Sequence, residues 1–342
     1  MDKINTIGLD LAKSVFQVHC LGENGEVVLR RQLRRAEVLK FFSKLPPCLI
    51  GMEACASSHY WAREIAALGH RVRLIAPTRV KAYVKWGKKN DATDAAAIAE
   101  AVTRPSMQFV PIKTVEQQAV LMLHRARKLL VEQRTRLRNA IRAHMAEMGI
   151  IAAQGEAGFT TILTSVDDED GLLPPMARQA LAALAGQWRT AGEQIAALDR
   201  QIVEWHKSND DSRRVASIPQ IGAITASTLV ATIGDATRFD SGRQFAAWLG
   251  LVPRQNSSGG KDRLGGITKT GDRYVRQLLV IAATGMLRRI RKDETLSPWF
   301  AQLLKRKPPK QAAVALANKL ARIAWAILAK GGLYKSPAIE VA

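Results

Sequence analysis

The stretch Ile4-Asn5-Thr6-Ile7-Gly8-Leu9-Asp10 is the first apolar run of the chain, and it ends on a carboxylate. A second run, Leu49-Ile50-Gly51-Met52-Glu53, ends in the same way. Short apolar runs of this kind predict buried β-strands. An acid that closes a buried strand is costly unless it has a partner or a task, so the two runs predict a sheet with acids gathered at one edge. In the alternative interpretation, Asp10 caps a turn and Glu53 is an ordinary surface acid.

The first hundred residues alternate apolar runs with helix-like segments. Strands are predicted at residues 4–10, 15–20, 26–30, 49–53 and 72–75, and helices at residues 35–44, at residues 58–68 and from residue 91 onward. The order β-β-β-α-β-α-β-α, with acids on the first and fourth strands and on the last helix, is typical of a ribonuclease-H-type domain. We therefore expect an α/β, RNase H-like domain over residues 1–108.

Two further acids, Asp91 and Asp94, stand three apart at the start of an alanine-rich segment, and in a helix they share one face. With Asp10 and Glu53 they form a donor set of oxygen atoms alone, which suits Mg²⁺, with Mn²⁺ as an alternative. Two ions held by carboxylates can activate a nucleophile on one side and stabilise a leaving oxygen on the other. We predict that the four acids are the ligands and catalytic groups of a two-metal site.

The charge balance is strongly basic, because 51 Lys and Arg oppose 30 Asp and Glu to give a formal net charge of +21. The apolar content of 47% and the charged content of 24% are ordinary for a globular protein. A surplus of this size favours a polyanionic partner, meaning DNA, RNA or both. A surface that is merely cationic, or one that binds acidic membranes, is the alternative.

The sequence favours a cytosolic protein without a membrane partner. The apolar run at residues 312–328 contains Lys319 and Arg322, so it predicts a packed amphipathic helix and not a membrane span. The N-terminus has no pattern of a signal peptide. The three cysteines are scattered and form no CxxC pair, which indicates a reducing compartment. They are Cys20, Cys48 and Cys55.

Two long helices are predicted for residues 109–210. The first, from Val115 to about Met148, is rich in arginine, and its cationic face either is solvated or contacts phosphates. The second runs from Pro174 to about Lys207 and has apolar residues at steps of three, four and seven, which is the pattern of a coiled-coil seam. The seam pairs within the chain or between subunits, and we expect self-association as a dimer or tetramer. The seam residues are Leu181, Leu184, Trp188, Ile195, Leu198, Ile202 and Trp205.

The remaining part, residues 211–342, is predicted to be mainly α-helical. Its stretch Ile218-Pro219-Gln220-Ile221-Gly222 and the apolar segment after it resemble a helix-hairpin-helix, whose turn presents backbone N–H groups to a phosphate. Gln220 stands where such hairpins have glycine, so a purely structural hairpin is an equal alternative. Residues 251–310 hold 14 Lys or Arg against 4 Asp or Glu, which predicts a basic surface.

A polar loop is predicted at residues 253–270, and it contains Asn256-Ser257-Ser258-Gly259-Gly260-Lys261. A serine hydroxyl becomes a nucleophile when a base or a metal removes its proton, and nearby arginines can balance the charge of a phosphate in the transition state. The alternative is an ordinary surface loop. The candidate nucleic-acid contacts come from this loop region and from the arginine-rich helix. They are Arg125, Arg134, Arg138, Arg254, Lys261, Arg263, Lys269 and Arg273.

Several motifs occur in one order along the chain. They are Gly8-Leu9-Asp10-Leu11-Ala12-Lys13, Met52-Glu53-Ala54-Cys55, Lys89-Asn90-Asp91-Ala92-Thr93-Asp94-Ala95, Ser217-Ile218-Pro219-Gln220-Ile221-Gly222, Phe245-Ala246-Ala247-Trp248-Leu249-Gly250-Leu251-Val252-Pro253-Arg254 and Gly266-Ile267-Thr268-Lys269-Thr270-Gly271-Asp272. In this order the chain resembles the transposases of insertion-sequence family 110, particularly the 1111 subgroup. The match spans nearly the whole chain.

The resemblance implies a RuvC-like DEDD catalytic domain, a coiled-coil middle and a C-terminal transposase domain. It implies a bacterial, nucleoid-associated DNA recombinase guided by a structured non-coding RNA, the bridge RNA, which pairs with donor and target DNA. Asp10, Glu53, Asp91 and Asp94 would bind Mg²⁺. Ser258 would attack the DNA phosphate and form a phosphoserine link, since the serine of the family directly precedes glycine, although Ser257 stands beside it.

Two other functions remain open from the residues alone. One is a Mg²⁺-dependent RuvC-like nuclease or Holliday-junction resolvase, in which only the four acids act and the serine loop is inert. The other is a basic architectural protein whose acids are structural, which predicts salt-sensitive DNA binding without dependence on Mg²⁺.

Overall fold

The structure, a computed structural model, describes residues 4–84, 91–256, 263–292 and 298–335, and within these it leaves out the side chains of residues 91 and 298–300. The chain divides into two compact units, Met1–Glu116 and Gln117–Ala342. The three-part division at residues 108 and 210 stays a prediction.

The first unit contains a six-stranded sheet with the strand order β3-β2-β1-β4-β5-β6. β1, β2 and β3 are antiparallel, β4 and β5 continue the sheet parallel to β1, and β6 pairs antiparallel with β5. The five predicted strands are present, and β6 is an addition that is too short to leave a sequence pattern. The strands are β1 (Thr6–Asp10), β2 (Val15–Leu21), β3 (Val27–Arg34), β4 (Leu49–Glu53), β5 (Arg71–Ile75) and β6 (Phe109–Val110).

Helices cover both faces of this sheet. The helix predicted at residues 35–44 is a short 3₁₀ turn followed by α1, and the other predicted helices correspond to α2 and α4. On one face α1 and α2 pack on the fully buried side chains of Ile7, Leu9 and Met52. On the other face Ile98 and Val102 of α4 pack with Ile75. The helices are α1 (Val38–Phe42), α2 (Ser58–Ala67), α3 (Pro77–Val80) and α4 (Asp91–Thr103).

The second unit is mainly helical, with one two-stranded sheet. Its elements are α5 (Val115–Glu147, the first two residues of which belong to the first unit), α6 (Glu156–Asp167), α7 (Pro175–Ser208), α8 (Asp210–Ala216), α9 (Ala223–Ile233), α10 (Gly242–Trp248), β7 (Pro253–Gln255), β8 (Leu264–Ile267), α11 (Arg273–Ile290), α12 (Pro298–Arg306) and α13 (Pro309–Lys330). α6 was not among the predicted helices, because Gly155, Gly158 and the four acids at residues 167–170 give this stretch the composition of a loop.

The two long helices α5 and α7 lie antiparallel within the chain. Trp205, near the end of α7, packs with Val120 near the start of α5. At the opposite end, Met145 of α5 packs with Leu181 of α7 and with Phe159 of α6. Part of the apolar seam of α7 is therefore covered by α5 and α6. Pairing of this seam between subunits stays a prediction.

The core of the second unit lies between α9, α10, α11 and α13. Among the described helices, α13 alone is long and apolar enough to cross a membrane by length and composition. Its face with Leu316, Leu320 and Ala324 is buried against the other core helices. Burial of this face agrees with the prediction of a packed helix at residues 312–328.

A histidine lies in the interior of the second unit. His124 of α5 is 1% exposed, and its ring nitrogens lie 2.9 Å from the hydroxyl of Ser227 and 3.1 Å from that of Thr228, both on α9. Burial, and after it the positive charge of Arg127, lowers the pKa of His124 to about 4. The ring is therefore neutral in the folded protein at pH 7, whereas in the unfolded chain it takes up a proton below about pH 6.5.

This shift predicts that the second unit loses stability as the pH falls from about 6.5 to 4, because the unfolded chain then binds a proton that the folded chain does not. A shift from 6.5 to about 4 corresponds to a loss of about 3 kcal/mol in the free energy of unfolding. Urea denaturation at pH 7.5 and pH 4.5 measures it. His124→Gln should lose about 2.5 kcal/mol less than the wild type over this interval, which ends just above the folded-state pKa. His144→Gln, at an exposed position of the same helix, serves as the control. An equal loss in wild type and His124→Gln would contradict the shift.

Candidate functional site

The first two predicted acids lie side by side at one edge of the sheet. Asp10 is the last residue of β1, and Glu53 is the last residue of the neighbouring parallel strand β4. The residues just before them, Leu9 and Met52, are paired across the two strands. Neighbouring strands are about 5 Å apart, so the two carboxylates leave the sheet next to each other. Both residues are partly exposed. The structure thus brings Asp10 and Glu53 together, as the strand pattern predicted.

Two glycines let α4 lie directly on the sheet beside these acids. A Cβ atom on Gly8 would overlap the carbonyl oxygen of Ala95, and one on Gly51 would lie 2.8 Å from the Cβ atom of Val102. Since side chains alternate along a strand, Asp10 and Glu53 point to the same face as Gly8 and Gly51. The beginning of α4, which carries Asp91 and the partly exposed Asp94, therefore covers the face on which the strand-end acids lie.

The negative charge of the pair acts on a neighbouring thiol. The pKa of Cys55 is raised first by burial, and then by the carboxylates of Glu53 and Asp10. One thiol therefore lies in the field of both acids.

Carboxylates at the ends of neighbouring strands suit a hard divalent cation in ligand type. Among the described residues, however, no group of three or more His, Cys, Asp and Glu side chains is close enough to hold a metal ion. Asp94 lies on the right face but does not complete such a group, and the side chain of Asp91 lies outside the description. The four-acid set stays a prediction, and the pair Asp10 and Glu53 is its described part.

The polar loop predicted at residues 253–270 is a β-hairpin for part of its length, which corrects that prediction. β7 and β8 are antiparallel, with Gln255 opposite Leu264. The backbone N–H of Asn256 donates to the carbonyl of Arg263 at 2.8 Å and closes the base of the loop. The predicted residues Ser257, Ser258 and Lys261 belong to this loop and lie outside the described residues.

The glycines of the two motifs around the hairpin have structural tasks. Gly250, at φ +73°, ends α10 with two hydrogen bonds, from its own N–H to Ala247 at 2.9 Å and from the N–H of Leu251 to Ala246 at 3.0 Å. Gly271, at φ +65°, passes so close to the carbonyl of Trp248 that a Cβ atom would overlap it. Neither position has room for another residue type.

Arg276 of α11 holds these glycine segments in place. Its Nη1 atom donates to the carbonyls of Leu249, Thr270 and Gly271 at 3.0, 2.9 and 2.9 Å. Burial lowers the pKa of Arg276, although a guanidinium stays charged at pH 7. The segments before and after the hairpin are therefore held together by hydrogen bonds from the Arg276 side chain to backbone carbonyls.

The predicted helix-hairpin-helix element is present as α8, a tight turn and α9. Gln220 in the turn has φ +66°, a conformation that glycine adopts without strain. Its side-chain oxygen packs on α11, 2.8 Å from the place that a Cβ atom on Gly285 would take. A contact of this turn with phosphate stays a prediction.

Two candidate nucleic-acid contacts on α5 have partners within the chain. The guanidinium of Arg134 lies over the ring of Trp188 at 4.0 Å. Arg138 donates to Glu156 at 3.0 Å and lies over Phe159 at 4.8 Å. These contacts hold α5 to α6 and α7. The other described candidates are exposed, namely Arg125, Arg254, Arg263, Lys269 and Arg273.

The roles of Gly8, Gly51 and Arg276 were not predicted from the sequence. A glycine inside an apolar strand indicates close approach of another backbone, and that pattern was visible in both strands. The task of Arg276 depends on three carbonyls from two separate segments, so its sequence position carries no indication of it.

Comparison with known proteins agrees with this architecture. Residues 7–150 match the family described as DEDD_Tnp_IS110, a transposase, and residues 212–298 match the one described as "Transposase IS116/IS110/IS902 family". Both descriptions define a transposase, an enzyme that cuts and recombines DNA. The DEDD domain implies an RNase H-like fold, with which the strand order agrees, and it suggests the use of a divalent metal.

Similarity to individual transposases extends over nearly the full chain. A "Probable family 20 transposase" of Pseudomonas aeruginosa is 50% identical over 97% of this chain and 99% of its own length. The transposases for IS1328 of Yersinia enterocolitica and for IS1111A of Coxiella burnetii are 40% identical over 98% of this chain, and over 99% and 92% of their own lengths. The chain belongs to the IS110/IS116/IS902 family of insertion-sequence transposases. The resemblance found in the sequence is confirmed.

The contact of α4 with the sheet gives a prediction for the site. Gly8→Ala should displace α4, because the added methyl group meets backbone atoms that cannot rotate away. Overpacking of this kind costs about 1–3 kcal/mol, and the displaced helix should also impair DNA cleavage. Thermal unfolding and a cleavage assay measure the two effects.

Gly186→Ala in α7 is the matched control, since an added Cβ atom there meets nothing within 4 Å. It should be neutral or stabilise by about 0.5–1 kcal/mol. The proposed packing is wrong if the two alanine variants behave alike.

Proposed function

We propose that this transposase cuts and rejoins donor and target DNA with a divalent-cation site on four acids and with Ser258 as the nucleophile. The observation that carries the proposal is the pair Asp10 and Glu53 at the ends of adjacent parallel strands, on the face that α4 covers. The remaining two proposed ligands, Asp91 and Asp94, begin that helix. All four donors are carboxylates, which favours Mg²⁺ over softer metals.

The acids would bind the cations and orient them toward a phosphate of the DNA backbone. When bound, Mg²⁺ supplies charge stabilisation at the reacting oxygens and makes a hydroxyl easier to deprotonate. Asp10 and Glu53 can serve this task because they are partly exposed at an open edge of the sheet. A carboxylate buried in the core could not reach a strand of DNA.

The serine step would proceed by exchange of ester bonds. The Ser258 oxygen attacks phosphorus and loses its proton, and the bond from phosphorus to a sugar oxygen breaks, so that the sugar leaves as a free hydroxyl. The energy of the cleaved bond is retained in a phosphoserine link. A hydroxyl of the partner strand then attacks this phosphorus, and the serine leaves in its original state. Strand exchange therefore needs neither water nor an external energy source.

Support for this role of Ser258 comes from the segment that carries it. The base of its loop is closed by the hydrogen bond between Asn256 and Arg263 and fixed through Arg276. A fixed base with a glycine-flanked tip suits a nucleophile that must reach a bulky substrate. The exposed cations Arg254 and Arg263 flank the loop on its two sides, where they would neutralise phosphates.

We further propose that a structured RNA guides the choice of DNA and that the active species is a dimer or tetramer. The net charge of +21 exceeds what a few phosphate contacts need and suits a protein that binds two kinds of polyanion. The part of the α7 seam that α5 and α6 leave uncovered is the candidate surface for self-association.

The catalytic proposal predicts separate effects of acids and serine on a labelled DNA substrate. Asp10→Asn and Glu53→Gln should abolish cleavage with Mg²⁺ and with Mn²⁺, because each removes a charged ligand. Ser258→Ala should abolish the covalent protein–DNA adduct seen on denaturing gels, whereas Ser257→Ala should retain it. Cleavage that persists in Ser258→Ala would instead support a nuclease that acts through the acids alone. Strand transfer by Asp10→Asn would overturn the role of the metal site.

The guide proposal predicts that the protein purifies with a discrete RNA transcribed from next to its gene. Removal of this RNA by ribonuclease should abolish sequence-specific recombination, and adding back the transcript should restore it. An RNA of shuffled sequence is the control. Recombination at the same sites after complete removal of RNA would contradict guidance.

A further inference from the structure

A large groove lies in the second unit beside the hairpin that carries the serine loop. It has a volume of about 1630 Å³ and runs between β8, the start of α10 and one face of α13. Typical small-molecule pockets measure about 300–1,000 Å³, so this groove is larger than a single small ligand needs. Its size suits a segment of an extended polymer.

One face of α13 forms a wall of the groove because the opposite face belongs to the core. Leu316 and Leu320 point into the core, whereas Lys310, Lys319 and Arg322 are exposed toward the groove. The wall is tied to the hairpin, since Asn318 donates its side-chain N–H to the carbonyl of Leu251 at 3.1 Å. The groove is therefore part of the same rigid base from which the serine loop begins.

The groove is lined by one sign of charge. Arg243 at the start of α10 adds a fourth cation to the three on α13. The two helices come close here, since a Cβ atom on Gly242 would lie 3.2 Å from the Cα atom of Arg322. Among its described lining residues there is no Asp or Glu. A groove with this charge attracts a polyanion.

Apolar surface lies between the cations. Leu264 and Ile267 of β8 and Ile323 of α13 contribute aliphatic side chains. The indole of Trp325 is held by its N–H group, which donates to the carbonyl of Ala236 at 3.1 Å. Cations combined with apolar and aromatic surface are typical of sites that bind single-stranded nucleic acids. The unpaired bases contact the apolar side chains, and the phosphates contact the cations. In a duplex the faces of the bases are stacked inside the helix and could not lie against this apolar surface.

We propose that this groove binds a single strand of DNA and leads it to the serine loop. The commitment to DNA rests on the proposed function, because β8 is both a wall of the groove and the strand that leaves the loop of Ser258. Lys310, Lys319, Arg322 and Arg243 contact phosphates of this strand. Bases lie against Trp325 and its aliphatic neighbours.

The test is binding of a fluorescent single-stranded oligodeoxynucleotide of about twelve nucleotides, measured by anisotropy at several salt concentrations in EDTA. The double variant Lys310→Ala/Arg322→Ala should weaken binding by about tenfold and lower the slope of log Kd against log salt by roughly 1.4, since about 0.7 is lost for each phosphate contact. The control Arg306→Ala/Lys307→Ala removes the same charge from exposed positions outside the groove. It should change both quantities much less. Equal effects of the two double variants would overturn the proposal.

A second variant tests the space without changing charge. Ala315→Trp places a large ring at an exposed position of the groove wall, and it should weaken binding as well. Thermal unfolding of all variants should match the wild type, because the substituted side chains face away from the core. Normal binding by Ala315→Trp would show that the strand lies elsewhere.

The same assay with other nucleic acids identifies the ligand of the groove. RNA of the same sequence and a DNA duplex should respond less to Lys310→Ala/Arg322→Ala than the DNA single strand does. A loss of affinity confined to RNA or to the duplex would contradict the proposal. The binding assay contains EDTA and does not depend on catalysis. Normal binding by a groove variant would therefore contradict the groove proposal and leave the catalytic proposal untouched. Cleavage that survives in Ser258→Ala refutes the serine mechanism and leaves the groove standing.

Discussion

The close contact between α4 and the sheet is the constraint on which the first unit depends. It exists because Gly8 and Gly51 have no side chains, so that a helix backbone can rest on a strand backbone. The same contact determines how far the start of α4 lies from the strand ends that carry Asp10 and Glu53. Ligands of Mg²⁺ must lie about 2.1 Å from the ion, so a shift of α4 by the width of a methyl group would remove its acids from any shared site. The two glycines would therefore serve the proposed site as well as the fold.

The second unit uses the same device around the serine loop. Gly250 and Gly271 allow two backbone segments to interlock, and Arg276 satisfies the carbonyls that this close approach leaves pointing inward. A surface loop is normally the most mobile part of a protein, and a nucleophile on such a loop would lose the advantage of orientation. The described contacts fix both ends of the loop that carries the proposed nucleophile. Backbone contacts therefore prepare both segments that are proposed to carry chemistry.

The sequence predicted the order of strands and the meeting of Asp10 and Glu53, because strand period and strand-end acids are local patterns that parallel pairing brings together. It did not predict α6 or the β7–β8 hairpin. The strands of the hairpin are three and four residues long and carry Arg, Gln and Gly, so their pattern is that of a loop. The role of Arg138 on α5 was ambiguous for the same reason, since its partners Glu156 and Phe159 lie on the helix that was missed. Contacts between distant segments are what a single sequence leaves out.

The distribution of the charge surplus separates the basic residues into two groups. On α5, Arg127 forms an ion pair with Asp199, and Arg134 and Arg138 stack on aromatic rings, so much of their charge serves to join helices. On α10 and α13, four cations stand exposed around a groove whose described lining contains no acid. Exposed cations that lie close together raise the energy of the folded chain, and binding of a polyanion relieves this repulsion. Binding of a nucleic-acid strand should therefore relieve more charge repulsion at the groove beside the serine loop than at the arginine-rich helix α5. Several arginines of α5 already contact acids or aromatic rings within the chain.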